Sequence, residues 1–151
     1  MNGLFFGNVF ISENVPSLMR EEILIQTSKS QEQIDITSKI NSFVKKSKFE
    51  NGLCNVFVMH SSAAIIINEN YDQSICLDLI DALDKIIPKG GFRHDKIDGN
   101  ADAHIKSSIL GADKTIPFEN GRLKLGQWQS VMLFELDGPR ERKIAITIIG
   151  D

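Results

Sequence analysis

The order of predicted secondary structure limits most strongly what this chain can fold into. After Gly111 the sequence contains apolar runs at Val131–Glu135 and Ile144–Ile149, separated by turn sequences and without an intervening helix. Two longer helices and one short helix are predicted before that point, between apolar runs typical of buried strands. A helix-containing part followed by strands alone is typical of α+β proteins rather than doubly wound α/β proteins. We therefore predict a single compact α+β domain with a mixed, largely antiparallel sheet.

The two longer helices are defined by apolar spacing and by residues that favour helix ends. Asp35 is the expected N-cap of the first helix, and Gly52 is expected to close it. Asp72 is the expected start of the second helix, and Pro88 its end. The apolar faces comprise Ile36, Ile40, Phe43 and Val44 in the first helix, and Ile75, Leu79, Leu83 and Ile86 in the second. We interpret both faces as parts of the core.

Composition favours one soluble globular domain. The 151 residues are 42% hydrophobic and 25% charged, and the net charge of −3 offers no basic field for a nucleic-acid backbone. No apolar run approaches the ~20 residues needed to span a bilayer. Met1–Ile11 lacks the leading Lys or Arg and the cleavage site of a signal peptide. Because Cys54 and Cys76 are too few for a disulfide framework, we expect a cytoplasmic protein that binds neither nucleic acid nor membrane.

The three histidines are the first candidate functional residues. His60, His94 and His104 fall within one 45-residue span, and His60 directly follows a predicted strand. Imidazoles can bind metal ions or carry protons near neutral pH. No local zinc motif such as H-E-x-x-H is present, so each histidine is also compatible with an ordinary surface or half-buried position.

The predicted short third helix carries polar residues of its own. It runs from about Asp102 to Leu110, with Asn100 as N-cap and Gly111 as its stop. Free backbone N–H groups at such a helix start bind anions and phosphates. Asp102 and Lys106 are four residues apart, which predicts a surface ion pair if neither contacts a ligand.

Three further polar or aromatic positions have two interpretations each. Asn68–Asn70 ends an apolar run, where a buried strand would reach the rim of a site. Glu135 ends an apolar strand and either points to solvent by strand alternation or belongs to a site. Trp128 is the only tryptophan and is either a core anchor or an aromatic wall for a flat heterocycle.

Several of these positions lie in strings that resemble one protein family. The chain resembles the YjbQ-like family, often called secondary thiamine-phosphate synthases, whose elements are HTTA…NEN, H…NADAH, GRLxLGxWQ and E-x-DGPR. The matching segments here are His60–Ala64 with Asn68–Asn70, His94 with Asn100–His104, Gly121–Gln129, and Glu135–Arg140. They occur in one order over roughly Glu22 to Gly150.

The resemblance implies a fold, an assembly and an activity. It implies an α+β domain over residues 22–151, with residues 1–21 as an N-terminal extension, and a homotrimer with sites near subunit boundaries. It also implies a weak activity that joins a hydroxymethylpyrimidine diphosphate to a thiazole phosphate, giving thiamine phosphate and diphosphate. The expected substrate is therefore a phosphorylated small molecule.

Residue roles follow from the resemblance together with the chemistry of the side chains. His60, His94 and His104 are expected metal ligands or proton carriers, and Glu135 is expected to orient one of them. Phosphate oxygens are expected at the helix start, with Lys106, Arg122 or Arg140. The remaining expected substrate contacts are Ser61, Asn68, Glu69, Asn70, Asn100, Asp102, Gln127, Trp128 and Gln129.

The identity of the metal and the reaction stay open at this point. Histidines favour a zinc-like ion, whereas a diphosphate leaving group favours magnesium. A metal-assisted hydrolase and a non-catalytic trimer that binds a metabolite or metal are the alternatives to a transferase.

Overall fold

A computed structural model describes residues 17–151. The elements are β1 (Ser17–Gln26), β2 (Glu32–Asp35), α1 (Thr37–Ser47), β3 (Asn51–Val58), β4 (Ala63–Glu69), α2 (Gln73–Ile86), a 3-10 helix (Arg93–Lys96), α3 (Ala101–Leu110), β5 (Asp113–Glu119), β6 (Arg122–Leu123), β7 (Gln129–Glu135) and β8 (Glu141–Gly150). The expected N-terminal extension is described only from Ser17, and the Met1–Ile11 segment considered for a signal peptide lies outside the described residues. Because β1 begins at Ser17, the boundary expected at residue 22 falls inside this strand.

The strands form two antiparallel sheets. The first has five strands in the order β1-β8-β3-β5-β6, and the second has three in the order β2-β7-β4. β1 and β8 pair along their whole length, from Ser17 opposite Gly150 to Gln26 opposite Glu141. The predicted α+β class and the largely antiparallel pairing are confirmed, with the strands divided between two sheets.

The three-stranded sheet is buried on both faces. Ala63 and Ile65 of β4 pack into a core shared with the five-stranded sheet and α1. Their neighbours Ala64 and Ile66 pack into a second core with residues of α2 and α3. A strand covered on both faces needs apolar residues at successive positions. This explains the unbroken apolar runs that predicted β4 and β7.

Three strands were not predicted from the apolar pattern. β2 has only four residues and β6 only two. β5 contains Pro117, a residue that argues against a strand because it cannot donate a backbone hydrogen bond. All three are short or interrupted, so they carry little period-two pattern.

The predicted ends of the two longer helices are partly confirmed. The Asp72 carboxylate accepts from the Ser74 N–H at 2.8 Å and caps α2 as expected. Asp35 lies one residue before the cap position of α1. Lys48, with a left-handed φ of 63°, ends α1, so the expectation for Gly52 was wrong. Gly52 instead lies within β3, where a Cβ atom would clash with a backbone oxygen of β8.

No helix within residues 17–151 is both long and apolar enough to cross a membrane.

Candidate functional site

A polar pocket lies beside the turn that joins β7 to β8. Its walls come from the loop after β3, the segment that leads into α3, and the β7–β8 turn with the start of β8. The lining residues are Met59, His60, Ser61, Ser62, Asp98, Asn100, His104, Asp137, Arg140 and Arg142, around a volume of about 570 Å³. Five of them, namely His60, Ser61, Asn100, His104 and Arg140, were expected site residues.

A buried ion pair supports this pocket. Arg142 is 2% exposed, and its Nε and Nη2 atoms donate to the two carboxylate oxygens of Glu135 at 2.7 and 2.5 Å. Arg142 Nη2 also donates to the hydroxyl of Ser62 at 3.1 Å. The pair fixes the guanidinium plane at the pocket wall, because two parallel hydrogen bonds allow only one orientation.

Glu135 is fully buried and does not point to solvent. Its carboxylate also accepts from the Thr27 hydroxyl and from the backbone N–H groups of Leu136 and Asp137, each at 2.9 Å. Burial alone would raise the pKa of Glu135, but the Arg142 contact and these hydrogen bonds lower it overall. Glu135 is therefore ionised at neutral pH and orients Arg142, whereas the sequence predicted that it orients a histidine.

His60 presents one ring nitrogen to the protein. Its Nε2 atom accepts from the backbone N–H of Lys143 at 2.9 Å. Burial, and after it the positive charge of Arg142, lowers the pKa of His60 below its usual value. The ring is therefore neutral near pH 7, and because Nε2 accepts, the ring proton lies on Nδ1. In this state His60 can donate Nδ1–H to an anionic oxygen.

Asn100 lies at the start of α3, as predicted, but its side chain does not cap the helix. Its Nδ2 atom donates to Asp137 Oδ2 at 2.9 Å, and its buried Oδ1 atom has no hydrogen-bond partner among residues 17–151. The Asp95 carboxylate accepts from the Ala101 N–H at 3.1 Å. An aspartate therefore already occupies the helix start that was expected to bind phosphate.

Arg140 is the more accessible guanidinium of the pocket. It donates through Nη2 to Asp137 Oδ2 and through Nε to the Asp137 backbone oxygen, both at 2.7 Å. Its side chain is 54% exposed, in contrast to the 3% of Arg142. Arg140 can therefore reach a ligand from the rim while Arg142 stays fixed in the wall.

His94 and His104 contact each other rather than His60. Their rings are edge to face with centroids 5.1 Å apart. His104 lines the polar pocket, whereas His94 lies on the 3-10 helix outside it. The three histidines thus adjoin one region without converging on a point.

Lys106 and Asp102 form the expected ion pair, but not on the surface. Lys106 Nζ lies 2.8 Å from Asp102 and 2.6 Å from Asp84 of α2, and its side chain is 1% exposed. Burial alone would lower the pKa of Lys106, but the hydrogen bonds to the two aspartates raise it overall. The prediction of a surface pair was wrong because α2 covers it. Neither Lys106 nor Asp102 lines the polar pocket.

The other expected substrate contacts lie at the opposite end of β4. Asn68 and Glu69 pair with Ser130 and Gln129 of β7. Asn70 Nδ2 donates to the Asp35 carboxylate at 2.9 Å, and Gln129 Oε1 accepts from the Gly126 N–H at 2.8 Å. Trp128 contacts Tyr71, with ring centroids 5.2 Å apart. A strand of seven residues separates its ends by roughly 20 Å. Within one chain, these residues and their neighbour Gln127 are therefore apart from the polar pocket, and Trp128 is 53% exposed rather than a core anchor.

Arg122 also lies away from the polar pocket. It lines a groove beside α1 together with Lys45 and Lys48. β6 places it at the far edge of the five-stranded sheet, next to β5.

Comparison with known proteins identifies the family. The profile described as UPF0047 protein YjbQ-like matches residues 21–151. The UPF0047 protein MJ1081 of Methanocaldococcus jannaschii is 44% identical over 128 residues, which are 84% of this chain and 91% of that protein. The chain belongs to the YjbQ-like UPF0047 family.

Further relatives of the YjbQ-like family agree with the fold. The UPF0047 protein YugU of Bacillus subtilis is 36% identical over 132 residues, which cover 87% of this chain and all of YugU. A crystal structure described as a YbjQ-like protein of unknown function from Sulfolobus solfataricus P2 superposes with a TM-score of 0.87 at 36% identity. The superposition covers 91% of this chain and 100% of the Sulfolobus chain. The family assignment made from the sequence motifs is confirmed.

The histidine geometry does not fit one shared metal ion. Within the described part of the chain, no group of three His, Cys, Asp or Glu side chains is placed to hold a metal. His60 Nε2 is already used by the Lys143 N–H, and its Nδ1 carries the ring proton. A bound metal stays a prediction.

Five lining residues were not among the expected site residues, namely Met59, Ser62, Asp98, Asp137 and Arg142. The sequence did contain a signal for Arg142. This residue lies two positions after the DGPR turn, and an apolar strand follows from Ile144. Ser62 and Asp98 had none beyond their proximity to histidines. Their placement depends on how three separate loops meet.

Proposed function

We propose that this member of the YjbQ-like family is an enzyme that acts on a phosphorylated small molecule bound in the polar pocket. The observation that carries the proposal is the convergence of two guanidinium groups and a neutral histidine on one polar pocket. Arg140 and Arg142 supply guanidinium groups, each held by one carboxylate, and His60 supplies an N–H donor. Arginine is suited to phosphate because its planar guanidinium forms paired hydrogen bonds to two oxygens.

The reaction we propose is a transfer of the thiamine-phosphate-synthase type. The bond between the pyrimidine methylene carbon and diphosphate breaks, and the thiazole nitrogen supplies the electron pair of the new C–N bond. Diphosphate leaves with the electrons of the broken bond. Because the reactants carry their own reactivity, the protein has to orient them and stabilise charge on the leaving group. In this scheme Arg140 and Arg142 bind phosphate oxygens, and His60 donates Nδ1–H to one of them.

The test is turnover of purified protein on hydroxymethylpyrimidine diphosphate and thiazole phosphate, followed by thiamine phosphate formation. Arg140→Gln is expected to lower kcat/KM by about tenfold or more, because a charge-assisted contact to phosphate contributes roughly 1.5–3 kcal/mol. Lys124→Gln is the matched control, since each cation is more than half exposed and has one carboxylate partner. Equal activity of the two variants, or no product with any of them, would contradict the proposal.

We also propose that the protein assembles as a homotrimer, as the family resemblance implies. The outer face of the five-stranded sheet supports an assembly, because Leu18, Ile149, Leu53 and Pro117 form an exposed row across four neighbouring strands. Contiguous exposed apolar surface is a feature of protein interaction sites. Light scattering is expected to give three times the 16.9 kDa chain mass. A monomeric mass would overturn the proposal.

A further inference from the structure

A second pocket adjoins the polar pocket and has the opposite character. It lies between the 3-10 helix and α3 and has a volume of about 620 Å³. Its walls are mainly Phe92, His94, Ala101, His104 and Ile105. We call it the ring pocket, because four of these five side chains are aromatic or branched aliphatic and offer flat apolar surface.

The two pockets share one wall. His104 lines both of them, so a small molecule on one side of this ring lies next to the other. His94 stands edge to face against His104, with an interplanar angle of 89°. Two perpendicular rings form a corner in which a third flat ring can stack on one and meet the edge of the other.

We propose that the ring pocket binds the aromatic or heteroaromatic part of the substrate while the polar pocket binds its phosphate. This inference rests on the proposed function and assigns the ring of its substrate to a particular pocket. A ligand pocket that is apolar, with charged groups at one end, fixes orientation as well as affinity. His104, as the shared wall, lies where the ring and the phosphate of such a ligand join.

Within one chain, the ring pocket offers an aromatic wall next to the polar pocket, whereas Trp128 does not. Trp128 packs edge to face against Tyr71 at the far end of β4, roughly 20 Å from the loop that carries His60. Phe92 and Ile105 are half-buried beside the polar pocket and need no movement to contact a ligand there.

The experiment compares phenyl phosphate with methyl phosphate by titration calorimetry on the full chain. The two probes carry the same phosphate group and differ in the ring. Phenyl phosphate is expected to bind about tenfold more tightly, since burying one ring face removes enough apolar area from water for that ratio. Phe92→Ala removes a wall of the ring pocket, and Ile105→Trp fills it. Each variant is expected to abolish the preference for phenyl phosphate over methyl phosphate. Binding of methyl phosphate should stay unchanged in both. Ile109→Trp is the control, because Ile109 lies on the same helix but is 67% exposed and outside the pocket.

The outcomes separate the two proposals. Equal affinity for both probes in the unaltered protein overturns the ring pocket and leaves the phosphate site standing. Retained preference in both Phe92→Ala and Ile105→Trp, with circular dichroism showing intact folds, also overturns it. Failure of both probes to bind overturns the phosphate site, and the ring pocket with it.

Discussion

Arg142 and Lys106 are both buried cations held by carboxylates, yet they lie in opposite settings. Arg142 is paired with the fully buried Glu135 and forms part of the polar pocket wall. Lys106 is enclosed between Asp102 and Asp84 and lines neither the polar pocket, the ring pocket nor the groove beside α1. Burial of a charge is therefore not what marks a site in this protein. Access to a ligand is the difference, because both cations are paired with carboxylates.

The two clusters also differ in what they connect. Glu135 ends β7 and Arg142 lies in β8, so their pair joins the two sheets across a short turn. Lys106 joins α3 to α2 through Asp84, whose side chain is 44% exposed. We interpret the first cluster as both structural and ligand-facing, and the second as a structural link between helices.

Arg142→Met is expected to have the largest effect. It leaves the Glu135 carboxylate buried without its cation, which costs about 3–5 kcal/mol of unfolding free energy. It should also abolish phosphate binding. Urea unfolding followed by circular dichroism measures the first effect, and calorimetry with inorganic phosphate the second. A loss below about 1 kcal/mol would show that Glu135 finds another partner and that the pair is not the support of the pocket.

Lys106→Met tests whether the second cluster is only structural. Its expected cost is about 2–4 kcal/mol, less than that of Arg142→Met, because the partly exposed Asp84 stays hydrated when the lysine is removed. Phosphate affinity should stay within about twofold of the unaltered protein, provided that the variant is folded at the temperature used. A tenfold loss of phosphate affinity in a folded Lys106→Met variant would contradict the interpretation of the Lys106 cluster as a purely structural link.

The smallest expected effect concerns the titration of His60. Because the folded state lowers the pKa of His60, the unfolded chain binds more protons near pH 6, and His60 makes the protein less stable as the pH falls below about 6.5. Phosphate in the polar pocket should raise the pKa of His60, since a nearby anion favours the charged ring. Histidine proton resonances followed by NMR over a pH titration give the pKa of His60 with and without inorganic phosphate.

The matched variant for this titration is Arg140→Gln. It should remove most of the phosphate-induced rise while His60 still titrates below its usual pKa. A His60 resonance that ignores phosphate in the unaltered protein would place the anion elsewhere.

The elements with strong local patterns could be predicted from the sequence. The start of α2 at Asp72 and the C-terminal end of α3 at Gly111 depend on residues adjacent to the helix, so they were predicted correctly. The end of α1 was not, because Lys48 adopts a left-handed conformation without the glycine that usually marks it. The family was also evident, since its motifs are contiguous strings of residues.

The site could be predicted only in part, because motifs name residues without saying which of them meet. His60 and Asn68 belong to one motif, but an extended strand holds them at opposite ends. Arg142 was missed although it is adjacent to a motif, because its pairing with Glu135 depends on the β7–β8 turn. Lys106 was placed on the surface because its neighbour four residues away is visible in sequence, whereas the covering Asp84 is 22 residues away.

The α+β class, the family and the chemical groups available to a site were evident from the sequence. These depend on periodicity, helix-end chemistry and residue identity, all of which are local along the chain. The fold was needed to show that Arg142 and Arg140 share a pocket with His60, that Lys106 is buried, and that Trp128 lies away from this pocket within one chain. Those outcomes depend on contacts between segments distant in sequence, where packing of sheets and helices sets both distance and access to water.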